Sequence, residues 1–289
     1  MLLNILQLLV NGILHGGIYA LISIGLTMIW GVMQIVNFAH GEFLMLGMYA
    51  SFWVFTLYGV DPYLALLIIM PGLFLLGVLT QWLVISPILD APHAAQIFAT
   101  VGLSIVLQNL ALFAWKGDYR NIRLETSISN VKVMGLVISF PRLMAFLITL
   151  GMVIALFFFL KKTYLGKALR ATADNKRSAQ LMGINVSRLY YLALGIGTAC
   201  VGAAGGILMP MYSVFPTVGS YFVLTAFVVV VLGGMGSMAG AFVGGLIIGV
   251  VEAFSGFFLA PALKEVVYFL VFVLILVFKP SGLMGKVKR

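Results

Sequence analysis

Charge is scarce in this sequence: Lys, Arg, Asp and Glu make up 9% of 289 residues, against 63% hydrophobic ones. That imbalance excludes a water-soluble globule, because one core cannot bury so much apolar side chain. Cysteine is nearly absent. With Cys200 alone, no disulfide forms within the chain, and its apolar surroundings between Gly197 and Gly202 suit a small buried packing residue. His15, His40 and His93 lie far apart and lack a ligand spacing such as HExxH, so no metal site is expected. No GxSxG elbow or CxxC pair occurs either, which leaves no nucleophile, base or metal constellation for an enzyme. The phosphate-binding loop GxxxxGK[ST] is missing as well: ahead of Gly166 and Lys167 the upstream Gly is replaced by Lys161, and Ala168 stands where Ser or Thr is required. The chain itself is not expected to hold ATP.

What is present is a succession of apolar runs from Leu2 to Phe278, each near the roughly 20 residues a membrane span needs. An all-α integral membrane protein follows, a polytopic helical bundle of about 8–10 spans forming one domain over residues 1–289. Spans are expected near 5–31, 38–58, 62–85, 94–115, 141–160, 189–212, 217–234, 238–258 and 263–279. No basic stretch precedes the first apolar run, so that run is expected to stay as a span. The net charge of +9 is concentrated in a loop at about 161–188, with Lys161, Lys162, Lys167, Arg170, Lys176, Arg177 and Arg188, and at the C-terminus with Lys286, Lys288 and Arg289. Short basic loops stay cytoplasmic. This sets the N-terminus outside, together with a loop at about 116–140 whose Lys116, Arg120, Arg123 and Lys132 run against the rule. Nothing in this distribution calls for nucleic acid.

Glycine is plentiful, and its GxxxG spacings at Gly12 and Gly16, Gly202 and Gly206, and Gly236, Gly240 and Gly244 suit close helix packing in lipid. The Gly-rich stretch from Gly219 to Gly249 is expected to break or re-enter. "MQIVNFAHGEFLMLGMYA" and "VVVLGGMGSMAGAFVGGL" share small residues around a polar break, the trace of a possible inverted repeat around a transport path. Ionisable groups at such a depth are costly and face cavities. Asn37, His40 and Glu42, with the flexible Gly233, Gly234 and Ser237, are therefore candidates for lining or gating that path. A plainer reading stands beside it, with Asn37 as a helix cap and Glu42 answering a helix dipole. Glu252, in a later apolar run, is given no role.

The longest polar block, "LGKALRATADNKRSAQLMGIN", predicts two short helices, Gly166 to Ala173 and about Lys176 to Met182, with Asp174 or Asn175 as N-cap and Gly183 as the stop. Helices this short need something to dock against. A topology signal or a site for anionic headgroups also accounts for the charge. Neither accounts for the capped succession.

The block, with "VNFAHGEFLMLGMYA", "FATVGLSIVLQN", "VVVLGGMGSMAGAFVGGLIIGVVEA" and "KPSGLMGK", resembles the branched-chain amino acid permeases of ABC importers over nearly the whole chain. The resemblance implies a bacterial cytoplasmic (inner) membrane location and a second homologous permease. It also implies two cytoplasmic ATPase subunits that bind the ATP, a soluble binding protein at the outer face, and no cofactor on this chain. It implies an ATPase-coupling role for Leu169, Arg170, Ala171, Asp174, Asn175, Ala179 and Gly183, and a cargo of branched-chain or other small neutral amino acids, urea or short amides. An ion-driven secondary transporter is the alternative, but its expected intramembrane carboxylates are few, and the block has no task in it.

Overall fold

The computed structural model describes residues 2–122, 124, 130–133, 135–259 and 263–285. Arg123, Glu125, Lys286, Lys288 and Arg289 lie outside the described residues. Hydrocarbon offers no partner for backbone N–H and C=O groups, so apolar runs of this length close their hydrogen bonds internally as helices. Six helices are long and apolar enough to cross a membrane. They are α1 (Leu2–Met33), α3 (Pro62–Thr80) with the π-turn Gln81–Ile85 and the single turn α4 (Ser86–Ile88), α5 (His93–Trp115), α6 (Phe140–Lys162), α9 (Val186–Leu208) and α11 (Met238–Phe258). Between them lie α2 (His40–Tyr58), α7 (Tyr164–Asp174), α8 (Lys176–Leu181) and α10 (Val218–Gly233), and α12 (Lys264–Phe278) closes the described chain. A hairpin of β1 (Asn130–Val133) and β2 (Leu136–Ser139) pairs antiparallel between α5 and α6, with Asn130 opposite Ser139, and the side of the bundle that carries it is called outer, as the charge rule expects.

Burial sorts the spans. The apolar window of α9 is 83% buried, whereas those of α5 and α6 are 11% buried each. Thus α9 and α1 form the centre, and α5 and α6 turn apolar side chains outward. The two central helices touch where glycine permits: a Cβ on Gly25 would come within 2.6 Å of the Gly197 carbonyl oxygen, and one on Gly197 within 2.9 Å of that of Gly25. Along α1, Gly12 and Gly16 lie against Val250 and Gly245 of α11, while along α9 Gly195 and Gly202 take the Phe74 and Leu73 side chains of α3. The packing reading of the glycine spacings is the one seen. Apolar faces gain nothing by leaving lipid for each other, and close backbone approach supplies the association instead.

Neither α2 nor α10 crosses the bundle whole. Chain 34–39 turns back from the end of α1 without helical structure, and α2 starts only at His40, whose ring reaches the Ile22 carbonyl well inside α1. From there α2 runs toward the outer side, with Tyr49 stacked on Trp115 at 4.0 Å between centroids. Residues 209–217 likewise dip inward from the outer side, where Arg120 and Val214 exchange backbone hydrogen bonds of 3.0 and 2.8 Å. The helix α10 then runs toward the inner side, where the amides of Leu283 and Met284 donate to Leu232 and Gly233. The two half-helices meet N-terminus to N-terminus at Gly41 and Gly219.

An inverted repeat is thus present, with a different mate from the expected one. Setting Gly41 on Gly219 carries α1 onto α9, α2 onto α10 and α3 onto α11. The packing of α1 on α11 then matches that of α9 on α3. The partner of "MQIVNFAHGEF" is therefore 211–221, not the stretch around Gly233. Within Gly219–Gly249, α10 is a half-helix that stops at Gly233 and a turn at 234–237 separates it from α11, so the stretch breaks as expected; the non-helical course that answers 34–39 lies just before it, at 209–217.

Candidate functional site

The junction is built from polar groups that the half-helices leave in the bundle. Asn37, His40 and Glu42 are all buried, at 0, 0 and 1% exposure. Asn37 Oδ1 accepts from the Ala39 amide at 3.1 Å, His40 Nε2 donates to the Ile22 carbonyl at 3.0 Å, and Thr100 Oγ1 of α5 donates to the Val36 carbonyl at 3.1 Å. The Asn37 and Thr100 bonds replace bonds that a continuous helix would have made, and His40 ties α2 to α1. Asn37 does not cap α2 itself; Ala39 holds the N-cap position, without a side-chain bond.

Glu42 stands in the first turn of α2, where the positive ends of two helices converge. Its Oε1 accepts from Ser104 Oγ at 3.0 Å and Gln108 Nε2 at 2.8 Å, and Gln108 also reaches Ser220 Oγ at 3.1 Å. Glu42 Oε2 and His40 Nδ1 make no hydrogen bond among the described residues. Ser104, Gln108 and Ser220 were not singled out from the sequence. The signal was the four-residue spacing of Ser104 and Gln108 on one face of an apolar helix.

Gly233, Gly234 and Ser237 are not brought to this junction. They lie at the inner end of α10, because the inverted repeat pairs 215–220, and not 233–237, with 37–42. Gly234 has φ +102 and packs against Ser281 and Gly285, and Ser237 Oγ caps α11 by accepting from the Gly240 amide at 3.1 Å. Gln34, Asp174 and Ser237 border one inner cavity of about 780 Å³. These positions therefore neighbour the basic block.

The block folds as two helices, each with an N-cap, and a third cap opens α9 after it. Thr163 Oγ1 accepts from the Gly166 amide at 3.0 Å, Asn175 Oδ1 from Ser178 at 2.9 Å, and Asn185 Oδ1 from Arg188 at 3.1 Å. Gly183 ends α8 at φ +80, a left-handed conformation that favours glycine. Gly166 lies so close to Phe159 and Leu160 that a Cβ would overlap their backbone. Of the seven positions expected to meet a partner, Leu169 and Ala179 do not face outward: they are 2 and 3% exposed, and α7 packs on α1, α6 and α9. The apolar face of such a short helix is used to dock on its own bundle. Arg170, Ala171, Asp174, Asn175 and Gly183 are exposed, and so are Leu181 and Met182 at 82 and 83%.

A helical bundle closed halfway through by two opposed half-helices, bearing a rigid polar block on one face, is the build of a membrane permease. Residues 8–276 match the family described as branched-chain amino acid transport system, permease component, and the chain belongs to that family. It is 32% identical to the high-affinity branched-chain amino acid transport system permease protein BraD of Pseudomonas aeruginosa, over 97% of this chain and 96% of the relative. It is 33% identical to LivH of Salmonella typhimurium, named in the same way, over 98% and 96%. A probable branched-chain amino acid transport permease protein, LivH of Methanocaldococcus jannaschii, is 28% identical over 98% and 95%. No solved structure gives a significant match. The protein is thus a multi-pass permease of the cytoplasmic membrane.

Proposed function

We propose that this chain is the permease subunit of an ATP-driven importer that carries branched-chain or other small neutral amino acids inward. It works with a second homologous permease, two cytoplasmic ATPase subunits and an extracytoplasmic binding protein, and has no catalytic site or cofactor of its own. The observation that carries this reading is the exposed pair Leu181 and Met182 on a block that is otherwise fixed to the bundle. Two large apolar side chains at the tip of a capped polar helix suit a protein groove better than water or headgroups.

The mechanical path supports the same reading. The block joins α6 to α9 without slack, and α9 meets α2 closely, with Gly202 against Gly47 and Gly205 against Leu44 and Met48. A push on α8 therefore reaches α2, and through it the Gly41–Gly219 contact. ATP binding drives transport only if the ATPases contact the block differently in two states.

The test is Leu181→Asp combined with Met182→Asp, which alters exposed positions and leaves the bundle intact. Loss of ATPase co-purification and of uptake, with normal membrane levels, is the expected result. Full uptake at those levels would remove the block from coupling.

A further inference from the structure

The outer half holds a second polar constellation, assembled from α1, α11, α12 and the loop before α10. Glu252 is 8% exposed; its Oε1 accepts from Lys264 Nζ at 2.6 Å and its Oε2 from the Tyr19 hydroxyl at 2.6 Å. His15 Nε2 lies 3.1 Å from the Tyr19 hydroxyl and 3.4 Å from that of Tyr212. As a mere brace between helices this adds little, since the Lys264 side chain is 41% exposed and a part-exposed ion pair contributes little stability. It also borders an unfilled space. A cavity of about 370 Å³ lies beside it, in the size range of small-molecule sites.

The lining has two chemically different ends. Glu252, Lys264 and Glu265 form a polar end at the outer turn of α12, and the rings of Tyr212, Phe222 and Tyr268 form an apolar wall. Lys264 spends one of its three N–H donors on Glu252 and keeps two. Among the lining residues two carboxylates surround one cation, and Arg142 acts on the neighbouring His15 and Tyr212 from outside the lining. A molecule that brings both an ammonium and a carboxylate offers a partner to each sign and leaves the charge of the lining unchanged. The floor of the cavity includes Val218, the first residue of α10 and the neighbour of the Gly219 that closes on Gly41.

We propose that this cavity is an outer receiving site for an α-amino acid zwitterion with an apolar side chain, lying above the closed junction. The ligand carboxylate binds Lys264, its ammonium binds the carboxylates of Glu252 and Glu265, and its side chain lies on the aromatic wall. The assignment rests on the proposed importer function and adds a site on the permease itself to the one supplied by the binding protein.

The experiment uses the assembled transporter in nanodiscs without binding protein, with leucine as the probe and saturation-transfer NMR as the readout. N-acetyl-leucine, which lacks the ammonium, serves as the comparison. Two variants are read: Ser213→Trp, which fills the cavity from a loop, and Lys264→Met, which removes the cation. The expected result is a leucine signal that exceeds the N-acetyl-leucine signal, falls about tenfold in Lys264→Met, as for loss of a charged hydrogen bond, and is lost in Ser213→Trp, where the ring takes the ligand's space. Binding-protein-driven uptake falls with it. Equal signals from the two compounds, or a leucine signal untouched by Ser213→Trp in an assembled transporter, would overturn the site. An unsubstituted assembly that takes up no amino acid, with binding protein and ATP supplied, instead overturns the importer reading on which the site rests.

Discussion

Gly219→Ala is the sharpest probe of the junction. A Cβ at Gly219 would sit 2.5 Å from the Gly41 carbonyl carbon and 3.0 Å from the Glu42 nitrogen. Carbon–carbon contacts settle at about 3.5–4.0 Å, so α2 and α10 must part by about 1 Å. Both obstructing atoms are backbone atoms in the first turn of a helix, so no side chain can rotate away to relieve the overlap. Overpacking of this kind costs about 1–3 kcal/mol, and the helix propensity regained by replacing Gly offsets up to about 1 kcal/mol of it. A net cost of about 1–2 kcal/mol shifts a closed-to-open ratio by roughly five- to thirtyfold. Gly102→Ala and Gly151→Ala, in α5 and α6, serve as controls, because a Cβ there meets nothing within 4 Å. Reconstituted with its partner subunits, the Gly219→Ala protein is expected to leak amino acid and to hydrolyse ATP without binding protein. Its thermal midpoint, followed by alkylation of the buried Cys200 thiol, falls below those of both controls. If Gly219→Ala leaks, hydrolyses and melts like Gly102→Ala, the junction is not the closed gate.

Two further outcomes follow from the site geometry. Glu42→Gln keeps an oxygen for Ser104 and Gln108 but loses the charge that answers two helix N-termini, an effect of about 0.3–1 kcal/mol at a surface and up to about 2 kcal/mol when partly buried. Uptake at matched expression is expected to fall, and an unchanged rate would reduce Glu42 to packing. Gly183→Pro forces φ from +80 to about −65° and unseats the end of α8, so ATP hydrolysis continues while uptake is lost; a variant that inserts and transports normally would show that the rigidity of the block is not needed.

The parts of this molecule legible in its sequence are those fixed by local chemistry. Asn175 as a cap and Gly183 as a stop could be read off because each acts on amides within a few residues. The glycine spacings were legible as contact faces, but not the partners: nothing local tells that Gly16 meets Gly245, or that Gly77 meets Gly195. The inverted repeat was assigned to the wrong mate for a related reason. Its two halves share a backbone course more than a set of side chains. With Gly41 set on Gly219, Val218 stands where the first half has His40, and Ser220 where it has Glu42. The small residues around Gly233 imitated the pattern, although they serve a turn at the inner surface. Leu169 and Ala179 were misjudged because an amphipathic turn shows which face is apolar, not whether the bundle or a partner covers it. Glu252 was left without a role since its partners, Tyr19 and Lys264, come from the two ends of the chain.

The polar residues in the apolar spans can now be understood through the broken backbone. Residues 34–39 cross the inner half of the bundle without a helix, and hydrocarbon would leave their amides and carbonyls unpaired. Asn37 pairs an amide within this segment, Thr100 of α5 pairs the Val36 carbonyl, and His40 ties the start of α2 to α1. What this arrangement gains is freedom of movement. A continuous helix through the middle could open a path only by kinking or unwinding, at the cost of its own hydrogen bonds. Two half-helices that meet end to end at Gly41 and Gly219 can separate as rigid pieces, with every internal bond kept. In the proposed importer, the force for that separation comes through a neighbour touching α2 along its length. Through Gly202 and Gly205, α9 does so, and α9 is also the helix that begins three residues after the stop at Gly183.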